Sequence, residues 1–138
     1  MRSDTDCIFC NIVAGLQPCH KVLETDQVLA FMDIYPSSDG HTLVMPKEHF
    51  ESVFDISESA MQAVALAARR IAAAIRAELA PDGMIVSQLN GAAAGQTVMH
   101  YHVHVVPRNA GARRRLHGEQ GADPTRLAEL ARAIAARL

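Results

Sequence analysis

The 138-residue sequence predicts an α+β fold with a mostly antiparallel five-stranded sheet, one long helix and one C-terminal helix. Two observations lead to this class. Five apolar runs of strand length occur in clusters, and a long alanine-rich stretch of helical periodicity separates the third run from the fourth. Clustered strands with helices between them are typical of α+β proteins. The length suits a single domain, residues 1–138, whose core needs no disulfide bonds.

The N-terminal part predicts a short helix and three strands. Residues 7–14 form a helical turn that ends at Gly15. The first two strands are separated by Asp26 and Gln27, which indicates a hairpin. A loop at 36–40 leads into the third strand. The three predicted strands are Val22–Thr25, Val28–Asp33 and Thr42–Met45.

The main helix is predicted from Ser57, a residue type that suits the N-cap, to Leu79, with Pro81 beyond its end. Apolar residues at three- and four-residue steps form one stripe along it, which should face the core. The members of this stripe are Met61, Val64, Ala65, Ala68, Ile71, Ile75 and Leu79.

The C-terminal part predicts two further strands and a second helix. The strands are Met84–Leu89 and Val98–Val106, joined by a loop of small residues. The helix starts near Asp123, a cap residue followed by proline at the first helical position. Its apolar residues are Leu127, Leu130 and Ile134. The polar, glycine-containing stretch 108–122 before it is expected to be mobile.

Composition excludes several classes of function. A formal net charge of -2 argues against a broad electrostatic grip on nucleic acid. No stretch approaches the roughly 20 apolar residues of a membrane span, and the polar N-terminus shows no signal peptide. Three cysteines do not make an even disulfide framework. We therefore expect a reduced, cytoplasmic protein that binds neither membranes nor nucleic acid.

Three histidines at every second position, His100, His102 and His104, are the most informative pattern in the chain. Side chains alternate along a strand, so the three rings share one face. The residues between them, Tyr101 among them, then face the core. Three imidazoles on adjacent pleats can bind a metal, bind an anion or attack an electrophile, and core packing alone does not require them.

A neutral imidazole nitrogen can attack a phosphorus ester to give a phosphoramidate that water then cleaves. Its other nitrogen must be held by an acceptor that sets the tautomer, and donors should surround the phosphoryl oxygens. His102 is flanked by the other two rings, so it is best placed to attack.

Beyond the row, other motifs carry a family resemblance. The chain resembles the histidine triad (HIT) superfamily of nucleotide hydrolases and transferases, most like its Hint branch and related bacterial enzymes. The segments that carry the resemblance occur in the family's order, over residues 7–108: they are Cys7–Ile12, Ala30–Ile34, His41–Lys47, His49 and Asn90–Arg108. The resemblance implies a HIT-like fold with its core at about 7–108, and a C-terminal loop and helix at 109–138.

The resemblance also implies roles for individual residues. His102 is the nucleophile, while His104 and His41 contact the phosphate or its surroundings. Asp33 binds the ribose, although it could instead cap the turn before Pro36. Nucleotide contacts are further implied for Gly95, Gln96, Thr97 and Asn90. An apolar pocket for a purine base, whose members could equally be core, comprises Ile8, Phe9, Ile12, Phe31, Met32 and Ile34.

One position departs from the family pattern. Several family members carry an amide side chain, close to the leaving group, at the position six residues before the glycine that corresponds to Gly95. This chain has Leu89 at that position. The nearest amides are Gln88 and Asn90. Because neighbouring strand residues point to opposite faces, Asn90 can substitute only if the backbone turns there.

Cys7 and Cys10 form a Cys-x-x-Cys turn that can bind zinc when two more ligands come from elsewhere. The resemblance supplies His49 and His100 as those ligands, which would make His100 structural. The alternative is two buried thiols without a metal. Cys19, His20 and His117 match no motif and are expected at the surface or in packing.

Several functions stay open at this point. The leading hypothesis is hydrolysis of nucleoside phosphoramidates or related phosphoesters through a nucleotidyl-His102 intermediate. A dinucleoside polyphosphate hydrolase of the Fhit type is a second, which Thr97 favours; Arg113–Arg115 could reach an extended polyphosphate or simply be solvated. Others are a nucleotide- or zinc-binding regulator with little catalysis, and a metal-binding protein that uses the histidine row itself. The resemblance implies a homodimer whose sheets join across the interface.

Overall fold

The computed structural model describes residues 1–112 and 120–138, and within them the chain forms five strands and three α-helices. This confirms the α+β class. Arg113–Arg115 and His117 lie outside the described residues. The elements in chain order are α1 (Ile8–Val13), β1 (Lys21–Glu24), β2 (Val28–Met32), β3 (Thr42–Pro46), α2 (Glu58–Leu79), β4 (Gly83–Gln88), β5 (Val103–Arg108) and α3 (Pro124–Ala135).

The strands form one sheet in the order β1-β2-β3-β5-β4, and each neighbouring pair is antiparallel. The predicted hairpin of the first two strands is confirmed. Both faces of the sheet are buried at its centre, since β2 and β3 have no exposed residue. Val28, Ala30 and Met32 pack into the main core under α2 and α3, whereas Leu29 and Phe31 pack on the opposite face with α1. The second face carries the candidate site.

Helix α2 covers the main-core face of the sheet. The hydroxyl of Ser57 accepts a hydrogen bond from the Ala60 amide at 3.2 Å, so the predicted N-cap is confirmed. Ala65, predicted in the buried stripe, is exposed, because the helix turns 100° per residue and the buried face continues through Ala67. The buried members are Ala60, Val64, Ala67, Ala68, Ile71, Ala74 and Ile75.

Helix α3 closes the main core beside α2. The carboxylate of Asp123 accepts from the Thr125 amide at 3.0 Å, with Pro124 at the first helical position as predicted. Leu127, Leu130 and Ile134 are buried in the same cluster as the sheet residues. The C-terminal helix is thus part of one continuous hydrophobic core.

The histidine strand is shorter than predicted. It begins at Val103 rather than Val98, and residues 98–102 approach it in irregular backbone. The Tyr101 amide donates to the Phe50 carbonyl at 2.6 Å, so this segment bonds to the loop after β3 before it enters the sheet. The alternation survives, because Tyr101, Val103 and Val105 all enter the main core as expected.

No helix in the described part of the chain has the length and apolar composition needed to cross a bilayer. Helix α2 is long enough in residues, but its sequence contains Arg69, Arg70 and Arg76, which are exposed.

Replacing the fully buried Ile134 by alanine should lower the free energy of unfolding by about 2–5 kcal/mol, because it leaves a cavity in the shared core. Urea unfolding followed by circular dichroism measures this. The matched control is Leu138→Ala, since Leu138 is 40% exposed and should lose well under that amount. A loss no larger than that of the control would mean that α3 is not part of the core.

Candidate active site and metal centre

A cavity of about 300 Å³ opens on the α1 side of the sheet. All six predicted base-pocket residues line it, on α1 and around β2, together with Asp33, Thr97, His102 and His104. Sequence reasoning missed six further lining residues. Leu43 could have been found from its alternation with Met45, whereas the turn after α1 carries no pattern that points to a pocket. The missed residues are Gln17, Pro18, Cys19, Tyr35, Leu43 and Val98.

The ring of His102 is held in one tautomer by the main chain. Its Nδ1 lies 2.6 Å from the carbonyl oxygen of His100. Because a carbonyl can only accept, Nδ1 carries the hydrogen and Nε2 keeps its lone pair. Phe9 packs edge-to-face against the ring at 5.2 Å between centroids. The arrangement is that of a neutral imidazole whose Nε2 can act as a nucleophile.

A second hydrogen-bond chain orients His104. The Ser37 amide donates to His41 Nδ1 at 3.0 Å, so the hydrogen of the neutral His41 ring is on Nε2. That Nε2 lies 2.9 Å from His104 Nδ1 and donates to it. His104 therefore carries its own hydrogen on Nε2. Asp33 Oδ2 lies 3.5 Å from His41 Nε2 and adds a favourable charge to this donor chain.

Asp33 caps the turn before Pro36, which is the alternative expected for it, and it also lines the cavity. Its Oδ1 accepts from the Tyr35 amide at 2.8 Å, which caps the turn after β2. The side chain is buried, and it borders the cavity beside His104. The turn cap and the ribose contact are therefore compatible with each other.

The loop before the histidine row is built around the buried side chain of Gln96. Its Oε1 accepts from the Gly91 amide at 2.7 Å, and its Nε2 donates to the carbonyls of Glu51 and Val98. Gly95 adopts a φ of 98°, which strongly favours glycine. Gln96 thus shapes the loop from within, while Thr97 reaches the cavity wall.

Asn90 is placed away from the cavity. Its Oδ1 accepts from the Val53 amide at 2.7 Å, and its amide pairs with that of Gln88 through bonds of 2.7 and 2.8 Å. Neither Leu89 nor Asn90 is among the described residues that line the cavity. Asn90 ties the end of β4 to the loop before α2, and these bonds hold it outside the cavity lining.

Cys7, Cys10, His49 and His100 come together in a second cluster, with their ligand atoms all within 4.8 Å of one another. The contacts from sulfur are 3.5 Å (Cys7 to His100 Nδ1), 3.3 Å (Cys10 to His49 Nδ1) and 3.6 Å (Cys10 to His100 Nδ1). The two Nδ1 atoms lie 3.3 Å apart. A tetrahedral zinc ion with standard bond lengths separates its ligand atoms by about 3.3–3.8 Å. The four residues therefore fit such an ion.

The protonation states in this cluster also suit a metal. His100 Nε2 donates to the Pro46 carbonyl at 2.8 Å, which leaves Nδ1 unprotonated and directed at the sulfurs. Burial lowers the pKa of His100 to about 4 and raises the pKa of the Cys7 thiol to about 11. Burial thus opposes charge in the protein alone, and a bound cation would reverse this by displacing the thiol protons.

The histidine row divides between the two sites. His100 joins the cysteines, while His102 and His104 face the cavity. Asp33, His41 and His104 also lie close enough to hold an ion, but their ring nitrogens are engaged in the hydrogen-bond chain described above. The three rings do not converge on one point, so the hypothesis of a metal site made by the row itself finds no support. Cys19, expected in packing or at the surface, is half-buried at the cavity wall.

A histidine row on an antiparallel sheet, with one ring beside two cysteines and a further histidine and two rings over an apolar cavity, defines a histidine triad protein. The HIT domain model matches residues 14–111, and the chain belongs to the HIT family. The resemblance inferred from its motifs is thereby confirmed.

Relatives in other organisms agree with this assignment. The chain is 45% identical over 108 residues to Protein hit of Bacillus subtilis, a match that covers 78% of this chain and 74% of that protein. It is 41% identical over 102 residues to adenosine 5′-monophosphoramidase hnt1 of Schizosaccharomyces pombe, and that match covers 74% of each.

Solved structures share the whole architecture. A Hit-like protein from Bartonella henselae has a TM-score of 0.93 and 36% identity, with both chains covered completely. A zinc-bound histidine triad family protein from Mycobacterium smegmatis has a TM-score of 0.84 and 38% identity, covering 95% of this chain and 91% of that one. The fold expectation is confirmed.

The neutral form of the His102 ring should carry its hydrogen on Nδ1, because the His100 carbonyl accepts that hydrogen at 2.6 Å. Nitrogen-15 NMR of the labelled imidazole distinguishes the two tautomers. His20 serves as the internal control, since it lies outside both clusters and should show averaged tautomers. A hydrogen found on Nε2 of His102 would contradict the assignment of that atom as nucleophile.

Proposed function

We propose that this protein hydrolyses purine nucleoside 5′-phosphoramidates or related nucleoside phosphoesters through a covalent nucleotidyl-His102 intermediate. The observation that carries the proposal is the His102 ring, whose Nδ1 is held by a carbonyl while the ring borders an apolar cavity. The phosphoramidase activity of the fission-yeast relative supports the same reaction class.

The first step forms a bond between His102 Nε2 and phosphorus. The lone pair of Nε2 attacks as the bond from phosphorus to the leaving nitrogen or oxygen breaks, and the leaving group takes up a proton from solvent water, which the attacking water of the second step gives back. The attacking His102 ring becomes cationic, so its Nδ1 hydrogen bond to the His100 carbonyl strengthens. The Nε2 hydrogen of His104 is available to a phosphoryl oxygen as negative charge shifts there.

The second step returns His102 to its starting state. Water attacks the phosphorus of the nucleotidyl-histidine, the bond to Nε2 breaks, and the nucleoside monophosphate leaves. His41 is a positioning residue in both steps, because its donation to His104 Nδ1 keeps the His104 hydrogen directed outward on Nε2. Thr97, exposed at the cavity wall, would add a hydroxyl donor to the phosphate, with Gly95 and Gln96 shaping the loop beside it.

The nucleoside would occupy the apolar part of the cavity. The Asp33 carboxylate can accept hydrogen bonds from the two ribose hydroxyls, while Ile8, Phe9 and Ile12 of α1 and Phe31 of β2 would line the base. The pocket also includes Met32 and Ile34. Apolar walls recognise shape more than base edges, so we propose a purine site with weak discrimination between adenine and guanine.

We further propose zinc as the ion of the Cys7–Cys10–His49–His100 cluster. The zinc-bound mycobacterial relative and the tetrahedral spacing of the ligand atoms support this choice. Bound zinc would stabilise two thiolates and tie α1 to the sheet. In this role His100 is structural through its side chain, and it serves the chemistry only through its carbonyl.

A homodimer is proposed on the strength of an exposed edge. β4 lies at the end of the sheet order, and Ile85 and Val86 are 36% and 55% exposed there. Leu66 on α2 is also exposed, at 63%. An apolar edge strand favours pairing with a second copy, which would join two sheets across the interface. Within each copy, the shared core supports residues 1–138 as one domain.

Incubation with adenosine 5′-phosphoramidate that is radiolabelled at phosphorus should leave acid-labile label on the wild-type protein after rapid quenching. His102→Ala should carry no label and should lose at least about 10³-fold in turnover, because the attacking nitrogen is gone. His20→Ala, outside both clusters, is the control and should behave as wild type. Turnover without any trapped label would rule out the covalent intermediate, and absence of both would favour a binding protein.

Faster turnover of diadenosine triphosphate than of adenosine 5′-phosphoramidate by the purified protein would instead assign the Fhit-type activity.

Purified protein should contain one zinc ion per chain, measured by inductively coupled plasma mass spectrometry. Cys10→Ser and His49→Ala should each abolish stoichiometric zinc, since structural zinc sites need all four ligands. Cys19→Ser is the matched control, because Cys19 is not in the cluster and should leave the zinc content unchanged. Full zinc occupancy in Cys10→Ser would overturn the assignment.

A further inference from the structure

His100 belongs to both sites at once. Its Nδ1 faces the sulfurs of Cys7 and Cys10, while its main-chain carbonyl accepts the hydrogen bond that sets the His102 tautomer. A bound metal that holds the His100 ring also limits where this carbonyl can lie. The cluster and His102 are thus connected through a single residue, His100.

Phe9 provides a second connection. It lies on α1 between Cys7 and Cys10, and its ring packs edge-on against His102, His100 and Phe31 with centroid distances of 5.2, 5.9 and 5.4 Å. The same side chain lines the cavity. A shift of α1 would therefore change the contact on the nucleophile and the wall of the base pocket together.

The Cys7–Cys10–His49–His100 cluster helps to hold α1, together with the apolar packing of the helix on β2 and β3. The helix has six residues, far below the length at which a helix is stable by itself in water. Its N-cap is Cys7, whose Sγ accepts from the Cys10 amide at 3.3 Å, so a proposed metal ligand also starts the helix. Without a metal, weak contacts between thiols and imidazoles tether its polar side to His49 and His100.

We propose that metal binding at this cluster and nucleotide binding in the cavity are energetically coupled, with Phe9 as the positioning residue that carries the coupling. The inference rests on the proposed function in one respect, since it takes a nucleotide as the ligand of the cavity. Metal binding then favours the arrangement of α1 that nucleotide requires, and nucleotide tightens metal binding by the same factor.

Titration calorimetry of the full chain with adenosine monophosphate tests the coupling without catalysis. The zinc-loaded protein should bind the nucleotide at least about fivefold more tightly than the zinc-free protein, with circular dichroism confirming that both are folded. A chelator competition should show zinc affinity raised by the same factor when the nucleotide is saturating. Equal nucleotide affinity in the two forms overturns the coupling and leaves the proposed hydrolysis standing.

Phe9→Leu separates the coupling from the metal site itself. Leucine keeps an apolar side chain between the two cysteines, so zinc affinity in the absence of nucleotide should be unchanged while the ratio between the two nucleotide affinities falls to one. Phe54→Leu is the matched control, because Phe54 is 89% exposed, and it should keep the wild-type ratio. A wild-type ratio in Phe9→Leu excludes Phe9 as the residue that carries the coupling.

A spectroscopic measurement covers the case in which the zinc-free protein does not fold. With cadmium in place of zinc, saturating adenosine monophosphate should shift the cadmium-113 resonance in wild type and in Phe54→Leu, but not in Phe9→Leu. An unshifted resonance in wild type overturns the coupling. Failure of the nucleotide to bind any form overturns the coupling and the proposed function together, whereas loss of the covalent label alone affects only the latter.

Discussion

The hydrogen bond from His102 Nδ1 to the His100 carbonyl is the interaction on which the proposed chemistry of this molecule depends. A free imidazole exchanges its hydrogen between two nitrogens, and only one of the two tautomers presents a lone pair to the cavity. The bond selects that tautomer, and in the proposed mechanism it remains available to the ring when the ring becomes cationic. It requires the backbone at 100–102 to leave the regular strand geometry, which explains why β5 begins only at Val103.

That irregular backbone is supported from several directions. The Tyr101 amide bonds to the Phe50 carbonyl, Gln96 donates to the Val98 carbonyl, and the His100 ring donates to the Pro46 carbonyl. These bonds satisfy polar groups that a strand partner would otherwise satisfy. The loop at 91–97, the end of β3 and the histidine segment are therefore bonded to one another. Phe9 lies between the cavity and the Cys-His cluster, since its ring contacts both His102 and His100.

A sheet that is buried on both faces makes this arrangement possible. Helices α2 and α3 cover one face with aliphatic side chains, and α1 covers part of the other. The first face supplies the rigidity, because it contains most of the core. The second face is only partly filled, and the unfilled part is the cavity beside Phe9, Phe31 and His102. Rigid elements thus position the histidines, while the mouth of the site is formed by a short helix and turns.

Local periodicity determined the α+β class, the five strands, the Ser57 and Asp123 caps and the face on which the histidines lie, because these follow from the repeat of the backbone and from capping chemistry. The family resemblance also implied that His49 and His100 lie beside the Cys7–Cys10 turn, where the structure finds them. Tertiary packing alone decided that Ala65 is exposed, that Asn90 bonds to Gln88 and Val53, and that Gln17 and Cys19 border the cavity. These outcomes depend on contacts between residues far apart in the chain. A local sequence pattern does not specify which distant backbone amide will donate to the side chain of Asn90, because that is fixed by the packing of the whole fold.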